Sequence, residues 1–239
     1  MDSTIMTESP RPASGRIAVV LLSGGIDAMA LAYWVAREVR ASQAFGFFFD
    51  LGLASSARQQ EVVRETCHAL GWSFVAADLA WWRQLIAATL PEAERTPENL
   101  AAIFRRRQGA TVGMVASGIL IGATFTELAG GSDLFHALNR EDVARYPHAR
   151  EVFAAIAGIL SLRDPRQPFR VHTPWLDRTG DEVLAEAIRL GAPVANTWSC
   201  PLDGRLHCGA CSACQGRKER FRRLQERHPD CHDPTLYAA

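Results

Sequence analysis

Apolar residues along the chain follow two different periods. Ile17 to Leu22 is an unbroken, partly β-branched run, the pattern of a strand buried on both faces. Ala44–Phe49, Ser73–Ala76, Asp133–Leu138 and Phe169–His172 read as further strands. Between them lie segments with helical spacing. Asp27–Arg40 is rich in helix formers and free of proline. Ala57–Leu70 sets Val62, Val63 and Leu70 on a polar background and stops at Gly71. Ala80–Leu90, Ala110–Leu128 and His148–Leu162 continue the alternation, while residues 97–107 show no clear period. A last core helix is announced by Thr179 and Glu182, a capping-box pair, with Arg189 in its final turn and Gly191 beyond. Strands alternating with helices predict an α/β fold, a parallel sheet covered by helices.

Composition narrows the class. The 239 residues suffice for one sizeable core, and 26 basic residues balance 26 acidic ones, so charge gives no argument for nucleic acid or a membrane surface. Residues 1–15 are polar, lack the apolar core of a secretory signal, and read as a flexible tail. Residues 16–195 form the sheet domain, 196–228 a cysteine-rich knuckle with a basic helix, and 229–239 a second tail. Gly109 to Thr126 is a low-charge run, short for a membrane span and rich in Gly, Ala and Ser, and reads as a helix packed inside the protein. Four of six cysteines crowd between 200 and 214, which points to a metal in a reducing, cytoplasmic setting and not to a disulfide framework.

The chemistry starts where the first strand ends. Leu22-Ser23-Gly24-Gly25-Ile26-Asp27-Ala28 is a strand, a tight glycine turn and a helix start. Glycines let the backbone approach a ligand closely, and the free N–H groups of the new helix favour an anion there. A phosphate is the expected ligand. Asp27 either caps the helix or holds a metal ion beside the phosphates. The GxxxxGK(S/T) and GxGxxG phosphate motifs are both absent. In an open parallel sheet ligands sit beyond the carboxyl ends of the strands. That rule brings the glycine loop, Asp50 and the segment after Leu138 to one cleft.

Cys200, Cys208, Cys211 and Cys214 are spaced C-x7-C-x2-C-x2-C, with small residues between the last three. Four thiolates suit a closed, structural tetrahedral zinc site. An iron–sulfur cluster is the rival; the distant first cysteine and the lack of a Cys-Pro pair favour zinc. Cys67 reads as packing, and His207 and His228 as surface residues. The helix after Cys214 carries Arg217, Lys218, Arg220, Arg222, Arg223 and Arg227. It reads either as a solvated helix or as a surface for an acidic partner.

The SGGID words resemble the pyrophosphate loop of the PP-loop ATP pyrophosphatases, whose fold is the Rossmann-like sheet of the adenine nucleotide alpha hydrolases. Phe49-Asp50-x-Gly52, Asp142 before Tyr146-Pro147, Thr173-Pro174 before Asp177-Arg178, and Thr197-Trp198-Ser199-Cys200 leading into the cysteine site extend the likeness from about residue 17 to 225. Together they resemble the 7-cyano-7-deazaguanine synthase family. The resemblance implies an ATP-dependent carbon–nitrogen ligase that adenylates the carboxylate of 7-carboxy-7-deazaguanine. Attack by ammonia then gives an amide, and a second activation gives the nitrile. It implies ATP and Mg²⁺ on residues 22–28 and Asp50, with Ser23 and Asp27 in the catalytic role. Substrate contacts are expected from Arg106 or Arg107, Asp142, Asp177, Arg178 and Thr197, and Zn²⁺ on the four cysteines. A homodimer is the expected assembly.

This chain departs from the family pattern at Ala28, where serine is usual, at Leu51 and Leu53, and at residues 105–110. Two other outcomes therefore stay open. One is a paralogue of a bacterial antiviral system that joins a 7-deazaguanine through an amide to a partner protein. The other is a non-catalytic nucleotide- or RNA-binding module.

Overall fold

The computed structural model describes residues 15–79, 81–95, 112–146 and 148–238. Five strands, β1 (Ile17–Leu21), β2 (Gln43–Asp50), β3 (Ser73–Asp78), β4 (Asp133–Phe135) and β5 (Arg170–His172), form one sheet in the order β3-β2-β1-β4-β5. Every pairing is parallel; Ala18, for example, aligns with Ala44 on one side and Asp133 on the other. Among the described residues the α-helices are α1 (Ile26–Glu38), α2 (Ser56–Leu70), α3 (Trp82–Ala87), α4 (Val112–Leu128), α5 (Arg140–Arg145), α6 (Ala149–Ser161), α7 (Gly180–Arg189) and α8 (Ser212–Arg227).

Strand β1 is buried throughout, as its unbroken apolar run requires. Alternation divides its side chains between two cores. Ala18 and Val20 face Leu31 of α1, Leu184 of α7 and Phe221 of α8, with Trp175 fully buried among them. Val19 and Leu21 face Ile119 of α4 and Phe153 of α6. Cys67 is a packing residue as expected: a Cβ added to Gly46 of β2 would lie 2.2 Å from its Sγ, so a glycine lets α2 settle on the sheet.

The chain winds outward from β1 to β3, then returns to place β4 on the other side of β1. Connections leaving β1 and β4 therefore diverge, opening a crevice at their carboxyl ends. Helix caps agree with the sequence pattern. Gly71 closes α2 at φ 68°, and Thr179 and Glu182 exchange both capping bonds at α7.

Three expectations change. β4 stops at Phe135, not Leu138, because its partner β5 ends at His172; His136 N–H makes the closing bond to the His172 carbonyl, 2.9 Å. The short α5 was not expected; Asn139 and Asp142 form its capping box, an Asn/Asp version of the usual Ser/Thr and Glu/Gln pair. Residues 229–238 are not a free tail. Thr235 is buried against Arg217, and Tyr237 bridges to His207. Of the N-terminal tail, residues 1–14 lie outside the described residues. No helix among the described residues is long and apolar enough to cross a membrane.

Candidate active site and thiolate centre

The turn between β1 and α1 is built around Gly24, at φ 77°, a conformation that side-chain-bearing residues rarely adopt. A Cβ there would also lie 3.0 Å from the Gln59 carbonyl oxygen. Gly25 is the N-cap of α1, and no side chain caps that end. The first N–H groups of α1 thus open on a cleft of about 390 Å³, lined by Ser23, Gly25, Asp27 and Ala28 among others. A second cleft, about 410 Å³, adjoins it along Leu21, Ser23, Phe49, Leu51, His136 and Asp142. Phe49, Leu51 and Ile119 supply its apolar wall, and Tyr146 and Arg145 its far rim.

Asp27 does not cap α1. Its Oδ1 accepts from Arg220 Nη2 at 2.6 Å, and its Oδ2 from Asn139 Nδ2 at 3.0 Å. Nearby Asp142 lines both clefts while its Oδ2 accepts from Asn139 N–H in the α5 capping box. Burial raises its carboxyl pKa, and the Asp27 charge adds to that rise. Two carboxylates and one arginine thus share the mouth of the glycine loop.

The knuckle reaches the same place through the backbone. Trp198 N–H donates to the Gly24 carbonyl at 2.8 Å. Thr197, one residue earlier, is 1 % exposed and lies behind the cleft wall. Its hydroxyl accepts from Arg217 Nη1 at 2.6 Å and donates to the Val194 carbonyl at 2.7 Å. Arg217, 2 % exposed, also donates to the Val194 carbonyl at 2.7 Å and to Thr235 Oγ1 at 2.6 Å. This buried guanidinium ties α8, the Val194–Ser199 segment and the chain end together.

Cys200, Cys208, Cys211 and Cys214 bring their sulfurs within 4.8 Å of one another. Cys208 and Cys214 Sγ lie 3.9 Å apart, close to the edge of a tetrahedron with metal–sulfur bonds of roughly 2.3 Å. Cys211 N–H and Cys214 N–H each donate to the preceding thiolate ligand, Cys208 and Cys211 Sγ, at 3.4 Å. Backbone N–H groups of Cys211 and Ala210 pull the Cys208 thiol down to about 6. The donor set fits a metal ion held by four sulfurs.

Other expected residues fall elsewhere. Asp50 ends β2, and its Oδ1 accepts from Gly52 N–H at 2.8 Å, which shapes the loop beside the cleft. Asp177 is 83 % exposed, pairs with Arg150, and lines none of these clefts. Arg178 packs over the Trp175 ring at 5.0 Å and also stays outside them. Arg106 and Arg107 lie outside the described residues.

Two expectations about the carboxyl-terminal region are corrected. His207 is not on the surface; it is 4 % exposed, its ring lies tilted against Trp198 with centroids 4.4 Å apart, and its Nε2 accepts from Ser199 N–H at 3.2 Å. The basic helix is not evenly solvated, because Arg217 and Arg220 turn inward and Arg223 forms a two-pronged pair with Asp181 at 2.8 and 2.9 Å. A signal was present. Arg217 lies three residues past Cys214 and four before Phe221, on the stripe that also holds Leu224.

An uncapped helix start at the crossover of a parallel sheet, with two carboxylates and an arginine at its mouth, is an anion-binding α/β site, and together with the family match that follows it makes the chain an ATP-dependent ligase by class. The family model described as queuosine biosynthesis protein QueC matches residues 17–225, and the chain belongs to that family. A 7-cyano-7-deazaguanine synthase from Methanopyrus kandleri is 30 % identical over 234 residues, covering 92 % of this chain and 97 % of that protein. One from Caldicellulosiruptor bescii is 27 % identical over 214 residues, covering 89 % and 95 %. The structure of NMN synthetase from Francisella tularensis is a remote likeness, with 12 % identity, a TM-score of 0.47, and 95 % of this chain and 90 % of that one covered.

Proposed function

We propose that this protein activates the carboxylate of 7-carboxy-7-deazaguanine with ATP so that ammonia can displace AMP and form the amide, with a second activation leading to the nitrile. The names of its relatives supply the substrate class. The observation that carries the reading is the 2.8 Å bond from Trp198 to Gly24, which makes the segment leading into the thiolate site a wall of the anion-binding loop.

In this reading the carboxylate oxygen attacks the α-phosphorus and pyrophosphate leaves. Ammonia then attacks the carbonyl carbon, the nitrogen loses a proton, and AMP leaves. Activation turns a poor leaving oxygen into a good one. Ser23, the Gly24–Gly25 backbone and the first N–H groups of α1 hold the departing pyrophosphate. Leu21, Phe49, Leu51 and Ile119 take the flat face of the base, in a cleft whose volume suits a purine-sized ligand. Asp27 and Asp142 offer the carboxylate oxygens that would hold Mg²⁺, which screens phosphate charge when bound. The four cysteines would hold Zn²⁺ as a closed site whose contribution is rigidity. Arg217 carries that rigidity to Thr197 and so to Trp198.

Pyrophosphate release is the test. Purified protein with ATP, Mg²⁺, ammonia and the acid should release pyrophosphate, and mass spectrometry should find the acid converted to amide or nitrile. No pyrophosphate above the acid-free control overturns the reading. Release of pyrophosphate with no nitrogen added to the product moves the nucleophile from ammonia to another amine.

A further inference from the structure

Two clefts meet at Asp27. One leads to the glycine loop; the other, about 550 Å³, lies between the start of α1, helix α5 and the inward face of α8. Asp27, Asp142, Ser199 and Arg220 line both. Arg220 therefore stands in the wall that separates them.

Its donors are only partly used. Nη2 donates to Asp27 Oδ1 at 2.6 Å and to the Gly180 carbonyl, while Nη1 reaches Asp27 Oδ2 only at 3.4 Å. The buried Nε has no partner among the described residues. A guanidinium carries five N–H donors in a fixed fork, matched to carboxylate and phosphate. The fork also occupies a shaped slot. A Cβ on Gly180 would come within 2.9 Å of Arg220 Cζ and Nε, so the bare backbone at the start of α7 makes room for this side chain.

The partner can spare it. Asn139 holds Asp27 Oδ2 at 3.0 Å from the other side, so the carboxylate keeps its orientation if Arg220 turns. The Asp27 and Arg220 side chains are 21 % and 19 % exposed, a mostly buried and balanced pair. An anion entering either cleft upsets that balance; Arg145, Arg217 and Arg223 also line the larger cleft, but among the described residues Arg220 is the cation that lines both.

We propose that Arg220 is an anion-contact residue: it pairs with Asp27, and donates to an anionic oxygen, carboxylate or phosphate, when a ligand enters. It rests on the reading above that this cleft takes ATP and an acid. A static ion pair would use Arg220 only to hold α8 against α1.

Isothermal titration of the full chain, with metal content checked, separates these roles. The probes are inorganic pyrophosphate, 7-carboxy-7-deazaguanine, and uncharged adenosine. Arg220→Gln is expected to weaken one of the two anions by about 10- to 100-fold, the worth of one charge-assisted hydrogen bond, with adenosine within about twofold. Arg220→Lys should recover part of the loss. A loss confined to pyrophosphate assigns the contact to phosphate; a loss confined to the acid assigns it to the carboxylate. Should Arg220→Gln lower metal content, Gly180→Ala crowds the slot without removing the charge and is expected to weaken the same anion. Unchanged affinity for both anions, an equal loss for adenosine, or no binding of either anion by the wild type overturns the proposal. Anion binding that depends on Arg220 without pyrophosphate release from ATP leaves it standing and sinks the proposed reaction instead.

Discussion

Trp198 and Gly24 are 174 residues apart in sequence and share one backbone hydrogen bond of 2.8 Å. Because Gly24 sits in the glycine turn and Trp198 two residues before Cys200, that bond couples the geometry of the anion loop to the thiolate site. Loss of the thiolate site should therefore loosen the loop, whereas the four sulfurs hold their ion without help from Gly24.

Cys211→Ser tests the metal end. Loss of one of four sulfurs should release the ion, and structural zinc binding is worth roughly 10 kcal/mol or more of folding free energy. Metal analysis should show the protein depleted, with a markedly lower melting temperature. Full metal occupancy in the variant would remove Cys211 from the ligand set.

Gly24→Ala tests the loop. A side chain at φ 77° carries a conformational penalty of about 1–2 kcal/mol, and its Cβ would press on the Gln59 carbonyl at 3.0 Å. ATP binding should fall at least tenfold while metal content stays near that of the wild type. Unimpaired ATP binding would show that the loop does not hold the phosphates.

Asp27→Ala removes the carboxylate facing Arg220 and Asn139. Pyrophosphate release should drop by more than 100-fold with the fold intact by circular dichroism, as expected for loss of a charged group at the reacting phosphates. Substantial residual turnover would reduce Asp27 to an anchor for Arg220.

Arg217→Met replaces a buried guanidinium that donates to Thr197, Ser199, Val194 and Thr235. Four oxygens lose a charged donor, a cost of about 2–4 kcal/mol. Urea unfolding should show the loss, with ATP binding weakened through Trp198. Stability equal to the wild type would make the Arg217 network dispensable.

Acid sensitivity should come in part from Asp133, at the amino end of β4. Burial pushes its carboxyl up, but hydrogen bonds from His172 at 2.6 Å and Arg16 at 2.9 and 3.1 Å outweigh that and hold it at about 2, below an ordinary 3.8. A depressed carboxyl stabilises the fold above pH 3.8 and loses that contribution as pH falls toward 2. The size is about 2 kcal/mol. Asp133→Asn should flatten the stability profile across that window; an identical acid limb in the variant would contradict it.

Local signals in the chain were enough for the alternation of strands and helices, the glycine turn after β1, the caps at Gly71 and Thr179, and the four-cysteine cluster, because each depends on neighbours a few residues apart. The rule for ligands at strand ends brought the segment after Leu138 to the cleft, and the family resemblance singled out Asp142 within it. Neither could place Arg220, because a charged residue on a helix gives no sign of which distant carboxylate it will meet, and the slot for it is an absent Cβ at Gly180. Nor could they tell that Asp177 and Arg178 point away, that His207 is enclosed, or that the chain end docks through Thr235 and Tyr237. Period and spacing decided which elements form and where phosphate and metal chemistry reside. Only tertiary packing decided which arginine faces Asp27, because burial and long-range pairing are set by every element that closes around the site at once.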